Sequence, residues 1–383
     1  MKKWAILLVC TFAVSGCMPN FGNQDEVVKN TETDSKQKAF IPSYNISDNY
    51  YKTILPFVAA DARGLSASRL NTRYDLNEFE TGLMRQAQES FAADKYVYQE
   101  GQKIPKTTIS GWLGFEKSGK ELDAAKKADK KFINGLNPPS GKEGQSSTKY
   151  LASVLEQDYL VKKNENTVEL GGVVIGLALN SVDYSKDAAG NPQNKPMDDS
   201  TIRSQGEKIG AEVLRQVRQM DGMENVPIVI ALYKQAPKSS IVPGNFIAKA
   251  EARSGSSSLG NWDSLDEHYY FFPSAEAANK YRDDAQNFGR FKDDVASFFP
   301  NYTGAVGKAF YKDGEMKSLK IDIPMQFYGK AEVIAFTQFV TGKAVDYFPD
   351  YIDLEVNIFS TDGQEALITR APGQKKPDTH VYQ

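Results

Sequence analysis

Cysteine and histidine are almost missing from this chain, with two of each in 383 residues. Cys10 and Cys17 both fall within the first seventeen residues, so nothing downstream can form a disulfide, a thiolate metal site or a cysteine nucleophile. His268 and His380 lie far apart and lack the close spacing of zinc-binding histidines, so no metal site is expected. Excess positive charge is absent as well. The 46 Lys and Arg face 49 Asp and Glu, a formal charge of −3, which argues against nucleic-acid binding. Nor is there a long apolar run. Trp4 to Ala13 falls short of the roughly 20 apolar residues that a membrane-spanning helix needs, and no later segment approaches that length.

The flanks of that short run give it a meaning. Lys2 and Lys3 precede it, and Val14-Ser15-Gly16-Cys17 follows. A positive start, a short apolar centre and small residues before a cut describe a secretion signal over residues 1–16. The tetrapeptide Val14, Ser15, Gly16 and Cys17 resembles a bacterial lipobox, in which the cysteine sulfur takes up a diacylglycerol and a signal peptidase cleaves between Gly16 and Cys17. The expected mature chain therefore begins at lipidated Cys17 and, without Lys2 and Lys3, carries a charge of −5. Its expected place is the outer face of the cell membrane, and its partners there are the lipid bilayer and the lipoprotein-processing enzymes. Each buried acyl CH₂ contributes about 0.8 kcal/mol, and two chains give stable anchoring. Residues 17–48 then read as the lipidated cysteine and a flexible tether, because 18–48 hold too few apolar residues to offset the entropy of ordering.

The body of the chain repeats itself. Ile209, Val213, Val217 and Met220 recur at helical spacing and are followed by the apolar strand pattern Pro227 to Tyr233. Val333, Phe336, Val340 and Ala344 recur likewise, followed by Tyr351 to Phe359, which alternates apolar and polar as a half-buried strand does. Ile209 to Val333 and Pro227 to Tyr351 are both steps of 124 residues. Val168 to Leu179 and Leu319 to Met325 supply a strand before each helix, Pro324 confining the latter to a sheet edge or a strand end. Longer helical segments are predicted earlier still, Leu76 to Ala92 and Ala275 to Phe298, and Phe57 to Arg63 is echoed by Phe246 to Arg253. The fold class that follows is α+β, with two homologous domains at 49–240 and 241–383, each a small, largely antiparallel sheet packed by helices. Residues 117–149, rich in Lys, Gly, Ser and Pro, and 185–204, with Gly190-Asn191-Pro192 and Lys195-Pro196, read as exposed excursions of the first copy.

Catalytic signatures are lacking. Gly171-Gly172-Val-Val-Ile-Gly176 has no following Lys-Ser/Thr and lies inside an apolar run, so it reads as a bulged strand rather than a phosphate loop. Ser254 to Ser258 lacks the spacing of a nucleophile elbow and reads as a loop. Asp283, Asp284, Asp293 and Asp294 sit on a predicted helix, where an exposed acidic stripe is the simplest account. No catalytic residue and no cofactor is expected, and the chain is read as a non-enzyme.

Several blocks resemble the CamS lipoproteins, the family of sex-pheromone precursors of Gram-positive bacteria. They include Leu155-Glu-Gln-Asp-Tyr-Leu160, Gly176 to Val182, Pro227 to Lys234 and Ser240 to Ile247. His268-Tyr-Tyr-Phe-Phe-Pro-Ser274 and Phe348 to Val356 continue the series. The resemblance implies that the cleaved signal peptide, here within Ala5 to Gly16, is trimmed to a short apolar pheromone. A receptor in responding bacteria would sense it and induce conjugative plasmid transfer. The resemblance leaves the mature body without a role. A cell-surface ligand-binding module using the cleft between the two repeats, or the aromatic segment 269–272, is the alternative reading. A carboxylate-dependent envelope hydrolase is a third.

Overall fold

A computed structural model describes residues 25–29, 37–47, 50–140, 148–164, 167–186, 189–299 and 302–383. The expected signal peptide, including the expected lipobox residues Val14, Ser15 and Gly16, and Cys17 lie outside the described residues. Strands β1 (Asp25–Lys29), β2 (Gln37–Ile41) and β3 (Lys52–Thr53) precede helices α1 (Arg63–Arg69) and α2 (Arg73–Ala87). Strand β4 (Tyr96–Glu100) and helices α3 (Lys106–Trp112) and α4 (Gly119–Ala128) lead to two long strands, β5 (Leu151–Asn164) and β6 (Thr167–Leu179). The small ribbon β7 (Val182–Lys186) and β8 (Pro192–Pro196) is followed by α5 (Asp199–Val217). Strands β9 (Ile228–Lys234), β10 (Asn245–Ala252) and β11 (Asp263–Ser264) complete a first sheet. The rest of the chain is β12 (Glu267–Phe272), α6 (Ala275–Lys280), α7 (Arg282–Phe298), β13 (Val306–Lys312) and β14 (Glu315–Pro324). It ends with α8 (Lys330–Tyr347), β15 (Asp353–Ser360), β16 (Gly363–Arg370) and β17 (Asp378–Val381).

The first sheet runs β11-β10-β9-β6-β5-β4-β3, with β1 also paired to β6; the second runs β12-β13-β14-β15-β16-β17. Both are built around the same step. Strand β6 leads through α5 to β9, and the two strands pair in parallel. Strand β14 leads through α8 to β15, again in parallel. Strands β4 and β5, β5 and β6, and β9 and β10 pair antiparallel in the first sheet. Strands β12 and β13, β13 and β14, and β15 and β16 do the same in the second. Each helix of the pair predicted 124 residues apart thus joins two parallel strands, but the expected split into two small sheets at 240/241 is not met: β10 and β11 pair onward from β9, so the first sheet runs past residue 240 and has nine strands.

Burial separates the two sheets. Val173 to Leu179 and Ile228 to Tyr233 are nearly continuous apolar runs, as strands covered on both faces require. One face is covered by α5 through Ile202, Ile209, Val213 and Val217, the other by α2 through Phe79, Leu83 and Ala87. Helix α2 can approach closely because residue 82 is glycine: a Cβ there would stand 2.7 Å from the Phe246 ring. The second sheet has an apolar core on one face only. Leu319, Ile321 and Ile323 point into a core with Phe288 and Phe291 of α7 and Phe336 and Val340 of α8. Lys320 and Asp322, at the alternate positions, are exposed.

Several expectations need correction. The predicted tether carries β1 and β2, whose Val27, Ala39 and Ile41 are buried beside Val168 of β6. An edge strand supplies partners for these few apolar residues, which composition alone does not reveal. The echo between Phe57 to Arg63 and Phe246 to Arg253 is not structural. Residues 57–60 form no strand and Arg63 starts α1, whereas Phe246 to Ala252 lie in β10, where β9 offers an edge to pair with. The expected 185–204 excursion already contains the first turns of α5, capped by Asp198, whose carboxylate accepts the Thr201 N–H at 2.9 Å. His380 sits in β17 opposite Leu367.

Candidate functional site

Helix α2 is two-sided. Its apolar side lies on the first sheet, while Tyr74, Asn77, Glu78 and Thr81 face the open side of the second sheet across a cavity of about 290 Å³. Pro243 closes one side of it, Tyr269 of β12 and Lys308 of β13 another, and Ser318, Lys320, Asp353 and Glu355 form the floor. The cavity exists because β13, β14 and β15 alternate: their apolar residues enter the second core and leave Lys308, Lys320 and Glu355 on the opposite face.

A buried ionic network fixes the back of this cavity. Arg85 donates through Nη2 to Glu78 Oε1 at 2.6 Å and to Glu267 Oε2 at 2.7 Å, and through Nε to Glu267 Oε1 at 3.2 Å. Gln86 Nε2 adds a bond to Glu267 at 2.9 Å, and the Tyr269 hydroxyl donates to Glu78. The guanidinium also lies 4.4 Å from the centre of the Phe310 ring, a cation–π contact. Burial pushes the Glu78 carboxyl up from its ordinary pKa, and Arg85 and Tyr269 offset only part of that. Burial works against the Arg85 charge too, but Glu78 and Glu267 outweigh it and hold the guanidinium above its ordinary range. Burying Tyr269 beside Glu78 raises its hydroxyl well above the usual value.

The floor carries a second set of charges. Lys320 reaches Glu355 at 2.6 Å, and Asn357 donates to the same carboxylate at 2.8 Å. Burial raises the Glu355 carboxyl, yet Lys320 and Asn357 outweigh it and bring it below its ordinary pKa. Burial, with Lys320 close by, holds the Lys308 ammonium below its ordinary value. Burial, with Glu355 close by, raises Asp353. A wall of fixed donors and acceptors with aromatic rings at its edge suits the orientation of a small polar ligand.

The residues singled out from the sequence lie elsewhere. His268 is half exposed on β12, its Nε2 3.0 Å from Asp266 Oδ1. The Gly171-Gly172 segment lies inside β6, where the ladder with β5 skips Gly171 between Tyr159 and Leu160, the expected bulge. Asp284 and Asp294 on α7 accept the hydroxyls of Tyr311 and Tyr347, each at 2.7 Å, so they brace a helix against its neighbours. Of the aromatic segment 269–272, Tyr270 and Phe272 enter the second core and Tyr269 faces the cavity. Sequence reasoning did not single out Glu78, Arg85, Lys308, Lys320 or Glu355. The alternation of β14 and β15 was the one available signal, since it puts Lys320 and Glu355 outside; nothing local marks Glu78 or Arg85 as facing another sheet. Among the described residues no helix is long and apolar enough to cross a membrane, and no cluster of three or more His, Cys, Asp or Glu is placed to hold a metal ion.

Comparison with known proteins bears on this fold. The C-terminal domain of the sex pheromone staph-cAM373 precursor from Staphylococcus aureus is 34% identical, with a TM-score of 0.69 over 82% of this chain and 98% of that one. The sex pheromone precursor from Lactobacillus salivarius subsp. salivarius UCC118 is 30% identical, with a TM-score of 0.77 over 89% of this chain and 98% of that one. No curated protein sequence matches. Residues 57–376, which include α2, both parallel β–α–β steps and every residue lining the cavity, match the family described as CamS sex pheromone cAM373 precursor, and the chain belongs to that family.

Proposed function

We propose that this chain is an exported lipoprotein whose leader is the source of a peptide pheromone and whose folded body is a non-catalytic surface module. The family match over residues 57–376 carries the precursor reading. It does not reach the leader, so the leader's part rests on its own residues: Lys2 and Lys3, the apolar run, and Val14-Ser15-Gly16-Cys17. In this reading Cys17 is acylated, cleavage falls between Gly16 and Cys17, and trimming within Ala5 to Gly16 releases an uncharged peptide fit for an apolar receptor pocket. The anchored body stays on the outer face of the cell membrane and arose by duplication of the β–α–β step that recurs in both sheets.

Mass spectrometry of culture supernatant from an expressing strain tests the first part. A defined peptide from residues 5–16, absent from a deletion strain, is the expected result, and its absence overturns the pheromone reading for this chain. The Cys17→Ala variant is expected to lose acylation and membrane retention; unchanged retention and processing would overturn the lipoprotein reading. The cavity between α2 and the polar face of the second sheet favours a further role for the body, the capture of a small ligand at the surface.

A further inference from the structure

Lys308 stands where a fold optimised for stability alone would not place it. Antiparallel pairing of β13 with β14 sets Lys308 directly opposite Lys320, and like charges directly opposite one another destabilise a sheet. Lys320 is compensated by Glu355 across the parallel pair with β15. Lys308 is not. Among the described residues no carboxylate lies within ion-pair distance of it, and its contact is the face of the Tyr269 ring, 5.8 Å from Nζ. Three acids act on it from beyond contact, and each is engaged elsewhere: Glu78 by Arg85 and Tyr269, Glu355 by Lys320 and Asn357, and Asp322 by Asn357. The ammonium therefore lines the cavity as an open positive charge.

Asp353 is the open acceptor on the same floor, paired in register with Ser318 and with no ion pair among the described residues. One open cation and one open acid in a cavity of about 290 Å³ match a molecule with one negative group and nearby donors. That volume sits at the small end of ligand pockets, about 300 Å³ upward. Glu78, Asp353 and Glu355 around the wall repel a doubly charged phosphate more than a single carboxylate. Phosphate sites also favour forked guanidinium donors; among the described residues no arginine lines this cavity, and Arg85 behind it is already bound to two carboxylates.

We infer that the cavity between α2 and the second sheet binds a small monocarboxylate bearing hydroxyl or amino donors, its carboxylate at Lys308 and its donors at Asp353. The inference rests on the ligand-capture role proposed above and adds the chemical class. Saturation-transfer NMR on the purified chain with glucuronate, alanylalanine, glucose and inorganic phosphate tests it. Glucuronate or alanylalanine is expected to bind, and Lys308→Met to weaken that binding about tenfold or more with the circular dichroism spectrum unchanged. Asp353→Asn is expected to weaken it as well, and Thr81→Trp, which fills the cavity, to abolish it.

Failure of both carboxylates to bind, or binding indifferent to Lys308→Met, overturns the inference. Phosphate binding more tightly than either carboxylate overturns the assigned class. Glucose binding as well as glucuronate, and lost in Thr81→Trp, overturns the class while leaving ligand capture standing. Binding untouched by Thr81→Trp overturns both.

Discussion

Asp75 is fully enclosed, and four donors converge on it. Its carboxylate accepts the Tyr233 hydroxyl at 2.8 Å, the backbone N–H groups of Gly244 and Ala236 at 2.9 and 3.0 Å, and the Thr72 hydroxyl at 2.7 Å. One residue thus ties the start of α2 to the end of β9 and the start of β10. Asp75→Ala would strand those donors and is expected to cost about 3 kcal/mol or more, read as the shift of the urea midpoint. Asp75→Asn keeps one acceptor oxygen and should cost less; equal costs would sink this account. Lys308 gives the opposite expectation. A lysine held below its ordinary pKa in the fold costs stability at every pH below the folded value, and the cost fades as pH rises through that value toward 10.5. Lys308→Met should therefore raise stability at neutral pH by about 0.5–1 kcal/mol, a gain that shrinks on moving toward pH 10. A loss of stability at pH 7 would mean that Lys308 is structural.

At the scale of elements, α2 was legible in outline and illegible in role. Its periodic Phe79 and Leu83 announce a helix with one buried face, but Glu78 and Arg85 read locally as solvated charges, because Tyr269, which donates to Glu78, and Glu267, which pairs with Arg85, lie far along the chain. The parallel pairs β6–β9 and β14–β15 were better marked, since apolar content reports how many faces of a strand are covered. The runs around Val173 and Ile228 have two covered faces, and the alternation from Leu319 has one. By contrast β1 and β2 were invisible, for their stability comes from the edge of β6 rather than from their own residues. The cavity inherits both cases: its floor follows from the alternation in β14 and β15, and its wall from a long-range contact. Arg85→Met tests that wall. It leaves Glu78 and Glu267 buried without a cation, at a cost of about 3–5 kcal/mol near neutral pH. A carboxyl raised by burial contributes stability that is fully present below its unfolded value of 4.5 and is lost as pH rises through its folded value. The deficit of the variant should therefore shrink between pH 7.5 and pH 5, measured as the difference in urea midpoint from the unaltered chain. A pH-independent deficit would show that packing on Phe310, not charge, is the main loss.

On the scale of the whole molecule, two cores meet through polar contacts. The second core, from Tyr270 to Ile368, is separate from the clusters around the first sheet. Across the boundary run the Arg85–Glu267 pair and Glu89, which holds Lys249 of the first sheet and lies 3.5 Å from Lys312 of the second. A ligand seated between α2 and the second sheet touches both halves, so the rigidity of this boundary sets how well the cavity is formed before binding. The tryptophans make the coupling measurable. Trp112 and Trp262 both belong to the core of the first sheet, and Trp4 lies outside the described residues, in the leader that the proposed function removes, so indole fluorescence follows the first half while far-ultraviolet circular dichroism follows both. In the unaltered chain the two signals should trace one cooperative urea transition. Combining Arg85→Met with Glu89→Ala removes the cation that joins Glu78 to Glu267 and the anion that joins Lys249 to Lys312, and should split the transition, with fluorescence and circular dichroism midpoints no longer coincident. Coincident midpoints in that double variant would mean that the halves are held together by their apolar contacts, and the charged network would then serve to orient the cavity rather than to join the two sheets.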